Sequence, residues 1–409
     1  MNRGPTAVPS GVLARLTGSP EEFLLRAPAE PVIYRARGDM HDLLSFEAID
    51  RLLAERALRR PALRLIHQGR QLEDHEYLRR STLHSDTADP RRIGEWLADG
   101  ATLVLQVLED AWQPVGEFAA ELGNELGHPV HVNAYLTPGD SQGFSLHHDI
   151  HDAFIVQVDG TKDWVVHRPL VANPLPHETW DAVLARNGRG ELVAPDSPPH
   201  QTFTLSPGDC LWLPRGWVHA ARSTESTSLH LTVSVDTTTA AWAWQEIAEI
   251  VGRQEPMRTA LSRALITDPD RATEEISAVL AAATSWLSEA SPEKLVDVLR
   301  TAALRRFPAP LPDAVTGHVA TSRDEYLHET FAVRGHHVFA LETIEDTLHV
   351  RMAGRTLTMP AALREGMADL LARNTVRSAE LSWLDGPDSR VALLRRLRRE
   401  GIIAHVDPR

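Results

Sequence analysis

Residues 130–167 read VHVNAYLTPGDSQGFSLHHDIHDAFIVQVDGTKDWVVH. Apolar and β-branched runs of six to eight residues alternate with the turn signals PGDSQG and DGTK. Such runs are strands of a half-buried or fully buried sheet. Gly and Asp supply the backbone angles that tight connections demand. The texture continues through QTFTL, DCLWLP and LHLTVSV, punctuated by SPGD and PRGW, and ends near Val235. Many short strands spaced this way predict a sandwich or jelly-roll barrel. Leu170–His200 is irregular and rich in Pro and Gly, and reads as a long insertion over the barrel mouth.

Within that stretch, HHDIHD at 147–152 concentrates metal-ligating side chains. In an extended chain residues two apart share a face. His147 and Asp149 therefore converge, whereas His148 and Ile150 point away. His151 and Asp152 fall in the turn into AFIVQV. An H-x-D pair alone is a weak signal, since two ligands do not make a site. A third is offered by His219 in GDCLWLPRGWVHAA, after a tight turn at Pro214-Arg215-Gly216. Two imidazoles and one carboxylate on one face of an octahedral ion form the facial triad of Fe(II) oxygenases. Three positions stay open, enough for a bidentate keto acid and O₂.

A keto acid needs a cation for its far carboxylate. Lys162 opens the strand after the Asp159-Gly160 turn, so hairpin return brings it beside the ligand strand. A solvated lysine is the ordinary alternative. A buried one calls for an anion. Asn133, polar in an apolar strand, either donates to the co-substrate or caps a strand end. Thr232 and Ser234 alternate onto one face, either to bond the same carboxylate or as ordinary sheet residues.

The flanks differ from the barrel. The chain has 409 residues, 43% hydrophobic and 24% charged, the balance of a folded protein of two or three domains. Its formal charge of −14 argues against phosphate backbones, hence against nucleic acid as partner. One cysteine, Cys210, excludes a disulfide framework and a thiolate zinc site. No apolar leader or 18-residue apolar run is present, which predicts a cytoplasmic protein without membrane contact. Residues 1 to about 35 read as a wrapping segment. Helices are expected at Leu43–Leu58, near Pro90–Leu97 and from Trp112 to Leu126, with a buried strand at 102–108. Beyond Asp236, AAWAWQEIAEIV, PMRTALSRALI, EEISAVLAAATSWLSEA and PEKLVDVLRTAALRRF carry helical spacing. The last hundred residues mix strands with two helices and a terminal strand, the plan of a small winged helix.

H-x-D, then D-x-F-x-x-Q at 152–157, G-x-K-x-W at 160–164 and P-R-G-x-x-H at 214–219, form a long combined motif. In it the chain resembles the cupin-type JmjC ribosomal oxygenases, Fe(II)- and 2-oxoglutarate-dependent hydroxylases of ribosomal protein side chains. The likeness is strong over 130–235 and looser elsewhere. It implies an α+β chain: a double-stranded β-helix (jelly-roll, cupin) JmjC domain with N-terminal helices at 1–238, a helical dimerisation region at 239–307 and a winged-helix-like domain at 308–409. It implies iron ligands His147, Asp149 and His219, and 2-oxoglutarate on Lys162 with Asn133 as a further contact. Tyr135 falls near the substrate position. The expected activity is hydroxylation of a protein or peptide side chain by a homodimer. Two departures stand out. The 170–200 segment is longer than usual, which leaves open a precursor peptide or small molecule as substrate, and His148 replaces a common aromatic residue. A non-oxygenase metal cupin and a catalytically silent scaffold are the competing classes.

Overall fold

The computed structural model describes residues 11–79, 86–187, 198–308, 315, 322–335 and 337–406. Two compact units divide it, Met1–Thr237 and Thr238–Arg409.

Eleven strands are described in the first unit. They are β1 (Val32–Arg35), β2 (Leu63–His67), β3 (Arg70–Gln71), β4 (Thr102–Leu105), β5 (Val130–Thr137) and β6 (Asp152–Asp159), followed by β7 (Lys162–His167), β8 (Gln201–Leu205), β9 (Asp209–Leu213), β10 (Val218–Ser223) and β11 (Ser228–Val235). Eight form one sheet in the order β1-β9-β6-β11-β5-β4-β2-β3, and three form a second, β10-β7-β8. The pairings are antiparallel. The two sheets face each other as a jelly roll, the double-stranded β-helix that the strand spacing predicts.

Period-2 alternation sorts the side chains. Val132, Ala134, Phe154, Val156, Leu231 and Val233 leave the barrel and pack on Leu13, Leu52, Phe118 and Leu122 of the flanking helices. Ile155, Leu211 and Leu213 turn inward and meet Trp164, Val166, Leu205 and Trp217. Both faces of the large sheet are thus covered.

Several boundaries differ from expectation. FSLHHDI is not a ladder strand: residues 138–151 run irregularly between β5 and β6, and isolated bridges join Gln142 to Arg222 and His147 to His219. Those two bridges tie it to the edge of β10. The strand foreseen at 102–108 stops at Leu105. Val107 takes a left-handed turn, φ 50°, its N–H donating to Asn133 Oδ1 at 3.1 Å, and a helical turn follows at Leu108–Ala111. The N-terminal segment carries two short helices, Val12–Thr17 and Pro20–Leu25, and then β1, which extends the large sheet beside β9. The other early helices span Phe46–Glu55, Pro90–Ala98 and Gln113–Leu126, the last ended by Gly127 at φ 68°. The 170–200 insertion holds one helix, Trp180–Arg186; its residues 188–197 lie outside the described residues.

In the second unit, helices Ala240–Gly252, Pro269–Glu289 and Pro292–Leu304 form as their periodicity predicts. PMRTALSRALI does not make one helix, but a 3₁₀ turn at Glu255–Arg258 and a short helix at Ala264–Thr267. The C-terminal module contains Arg364–Leu371, Gly386–Arg399 and a terminal strand Ile403–His405, as read from sequence. It adds an unforeseen helix, Arg323–His328, and strand, Thr330–Val333; the latter pairs with the terminal strand. Tyr326, Phe331, Val350, Met367, Leu394 and Ile403 fill its separate core. Among the described residues no helix is long and apolar enough to cross a membrane.

Candidate metal centre and co-substrate pocket

His147 lies in the irregular segment and His219 on β10. Their backbones exchange both hydrogen bonds: His219 N–H donates to His147 O at 2.8 Å, and His147 N–H to His219 O at 3.1 Å. Each ring is then oriented by the same device. His147 Nδ1 meets Ser145 O at 2.9 Å and His219 Nδ1 meets Trp217 O at 3.0 Å. A carbonyl only accepts, so each Nδ1 carries the hydrogen and each Nε2 is left with its lone pair. Those Nε2 atoms lie 4.0 and 3.8 Å from the two Asp149 oxygens. Ligand atoms of the three residues fall within 4.8 Å of one another.

Asp149 is set by the turn that launches β10. Its carbonyl accepts Gly216 N–H at 2.9 Å. Gly216 stands at φ 87°, and a Cβ there would meet Val171 O at 2.5 Å, so only glycine fits. Asp152 Oδ1 accepts Arg215 N–H at 2.9 Å, while its other oxygen accepts the Thr237 hydroxyl at 2.6 Å. The P-R-G turn is thereby fastened to the segment that carries the first two candidate ligands.

Burial, reinforced by His147, pushes the His219 imidazole down to about 4. It stays neutral at physiological pH, the form that binds a metal. Burial alone would raise the Asp149 carboxyl, but His219, His151 and His147 hold it below its usual range. The donor set of two oriented imidazoles and one carboxylate fits a divalent ion with open positions.

A cavity of about 160 Å³ adjoins the triad. It is smaller than drug-sized pockets of roughly 300–1,000 Å³ and suits a co-substrate of few atoms. Lys162 lines it, 4% exposed. Lys162 Nζ donates to Thr137 Oγ1 at 3.0 Å, and Thr102 Oγ1 donates to Thr137 at 3.2 Å. Desolvation drives the amine down to about 7. Thr232 lines the same cavity; Ser234 and Asn133 do not. Asn133 instead accepts from Val107, tying down the end of β4.

Tyr135 also lines the cavity and stacks flat on His230, centroids 4.8 Å apart at 1°. Burial first, then the Asp149 charge, push its hydroxyl up to about 12. Burial holds His230 well below the usual imidazole range, with Lys162 adding to the effect. His148 points away from the triad. It is buried, with Nε2 2.9 Å from Glu178 O and its ring edge-on to Trp180.

Sequence reading did not single out Thr102, Thr137, Arg64, Phe144 or His230, all brought to this site, and named Trp164 only as part of a motif. Strand register carries the signal that finds two of them: Thr232 faces inward, so His230 does, and its partner Tyr135 places Thr137 on the same face.

Residues 112–242 match the JmjC domain family model. Rat ribosomal oxygenase 1 is 36% identical over 174 residues, 41% of this chain and 28% of that protein. The bifunctional lysine-specific demethylase and histidyl-hydroxylase NO66 of Drosophila pseudoobscura pseudoobscura is 28% identical over 228 residues, 55% of this chain and 22% of the relative. The chain thus aligns with about a quarter of the length of these curated relatives. Among solved structures, Escherichia coli YcfD matches with a TM-score of 0.57 at 17% identity, covering 94% of this chain and 97% of that one. A related structure of that ribosomal oxygenase, in complex with cobalt and 2-oxoglutarate, matches at 0.52 and 16% identity. Over residues 112–242 the chain is thus similar to the JmjC domain family, and a stretch of 174 residues is similar in sequence to ribosomal oxygenase 1.

Proposed function

We propose that the protein is an Fe(II)- and 2-oxoglutarate-dependent dioxygenase that hydroxylates a side chain of a protein or peptide. One observation carries this reading: the oriented His147–Asp149–His219 set opens onto a cavity holding a buried lysine with no carboxylate partner among the described residues. A buried amine in that position is stabilised by an anion, and 2-oxoglutarate has a carboxylate to spare beyond the two atoms that chelate. Bound Fe(II) would supply the chemistry that couples O₂ and oxidative decarboxylation of 2-oxoglutarate to insertion of one oxygen into a C–H bond.

In this reading His147, Asp149 and His219 hold the ion and leave room for the co-substrate and O₂. Lys162, with Thr137 and Thr232, orients the far carboxylate. Trp164 and Ile155 keep water from the pocket. Tyr135 faces the substrate side chain, with Asn133 behind it. Substrates of ribosomal-protein type are supported by the names of the relatives. The exposed apolar residues Trp244, Ile266, Leu280 and Val296 on the helices after Thr238 support homodimerisation. The helices Arg364–Leu371 and Gly386–Arg399 and the terminal strand Ile403–His405 support a winged-helix-like domain.

Incubation with Fe(II), 2-oxoglutarate and cell extract tests the proposal. Wild-type protein should form succinate and leave peptides one oxygen heavier; His219→Ala should do neither. Metal binding without any 2-oxoglutarate turnover would sink the reading and leave the non-oxygenase cupin standing.

A further inference from the structure

The cavity is lined by a second cation, Arg64, to which the proposed reading gives no role. Arg64 lies on β2, where it pairs with Val104, which in turn pairs with Tyr135 on β5. The three residues form one row across the sheet, and Arg64 and Tyr135 both line the cavity. The guanidinium sits over the Phe144 ring at 5.2 Å, and Phe144 lies three residues before His147. Arg64 is therefore held at the less buried end, beside the tyrosine and the first candidate ligand.

Its hydrogen bonding is incomplete. Among the described residues no carboxylate pairs with it, and its Nε is buried without an acceptor. A buried donor left unpaired is costly, and a guanidinium offers its donors as a planar fork matched to a carboxylate. Lys162 differs, because its amine already has Thr137 and lies at the more buried end. Asp149, the one carboxylate lining the cavity, faces the two histidines.

We infer that Arg64, braced on Phe144 beside Tyr135, is a substrate-anchoring residue that takes a carboxylate of the bound polypeptide, from an Asp or Glu side chain next to the modified residue. This deepens the proposed hydroxylase reading and rests on it only for the presence of a substrate. Repulsion by the same cation disfavours a Lys or Arg at the anchored position.

A random dodecapeptide library tests the inference, captured on full-length protein loaded with Mn(II) and 2-oxoglutarate so that nothing turns over. Acidic residues should be enriched about tenfold over Asn and Gln at one position, the ratio expected of a charge-assisted hydrogen bond. Arg64→Gln should abolish the enrichment, Arg64→Lys should keep part of it, and Arg64→Glu should shift it to Lys and Arg. Thermal melts show that each variant is folded. Retention indifferent to acid or amide, including no retention at all, overturns the inference. So does a tenfold rise in the KM for 2-oxoglutarate in Arg64→Gln, which would make Arg64 a co-substrate residue. Succinate formation by wild type is scored separately: its absence defeats the hydroxylase reading and leaves the library result intact.

Discussion

His147 and His219 are joined by a reciprocal pair of backbone hydrogen bonds, and each ring is turned by a carbonyl two residues earlier. The bridge thus fixes the separation of two candidate ligands from distant parts of the chain, and the two carbonyls fix which ring nitrogen each presents. Replacing either histidine by alanine should lower metal occupancy and 2-oxoglutarate turnover by at least ~100-fold, while the barrel stays folded. Metal analysis after dialysis, beside far-UV circular dichroism, checks this. An alanine variant that keeps wild-type metal content would remove that residue from the ligand set.

Lys162 should make co-substrate affinity depend on pH. Its amine is depressed to about 7 when the pocket holds no anion, from 10.5 in an exposed lysine. Above pH 7 it is mostly neutral, and a carboxylate arriving beside it restores the proton. Binding should take up as much as one proton, so affinity falls by up to tenfold per pH unit above about 7. Calorimetry in buffers of different ionisation enthalpy measures the uptake. Lys162→Met should abolish both the uptake and the pH slope. The same depressed value lowers fold stability on the acidic side, because between pH 7 and 10.5 the unfolded chain binds more protons than the folded one. Lys162→Met should therefore melt higher than wild type at pH 7.

The turn before β10 is a positioning device. Asp152→Asn keeps the volume but weakens the bond to Arg215 N–H, and Gly216→Ala forces a Cβ against Val171 O. Metal affinity should drop about 10–100-fold in Asp152→Asn with little loss of stability. Gly216→Ala should cost more than ~1 kcal/mol as well. Denaturant titration beside metal titration separates the two. Equal, small effects in both variants would show that the turn does not govern His219.

His230 supports Tyr135. Removing the ring in His230→Ala leaves a hole beneath the tyrosine and should destabilise the fold by about 2–4 kcal/mol. His230→Phe keeps the stack and should recover most of that. Turnover with substrate should follow the same order, and a phenylalanine variant as damaged as alanine would assign His230 a polar role instead.

The barrel was legible because period 2 and Gly-Asp turns are local signals. So were His147 and Asp149, two apart in an extended stretch, although that stretch proved too irregular to belong to a ladder. His219 was found through its turn. Lys162 was found because it opens a strand after a tight turn. Its partners Thr137 and Thr102 were not, since a buried threonine in a strand looks like any other. Arg64 sits 83 positions before His147 (147 − 64) and reaches the site only through the β2-β4-β5 register. The order of pairing in the sheet is a long-range property that one sequence does not spell out. The helical turn Leu108–Ala111 was missed because a side chain distant in sequence, Asn133, takes up the Val107 N–H where the strand ends.

The graded burial of the cavity has a kinetic meaning. Lys162 is almost sealed, whereas Arg64, Tyr135 and Phe144 line the more accessible side. A polypeptide resting on those three would cover the way to the lysine. The small acid must then enter first and its product leave last, so the enzyme would follow a compulsory order, and an excess of polypeptide would slow turnover by trapping sites that have not yet been loaded.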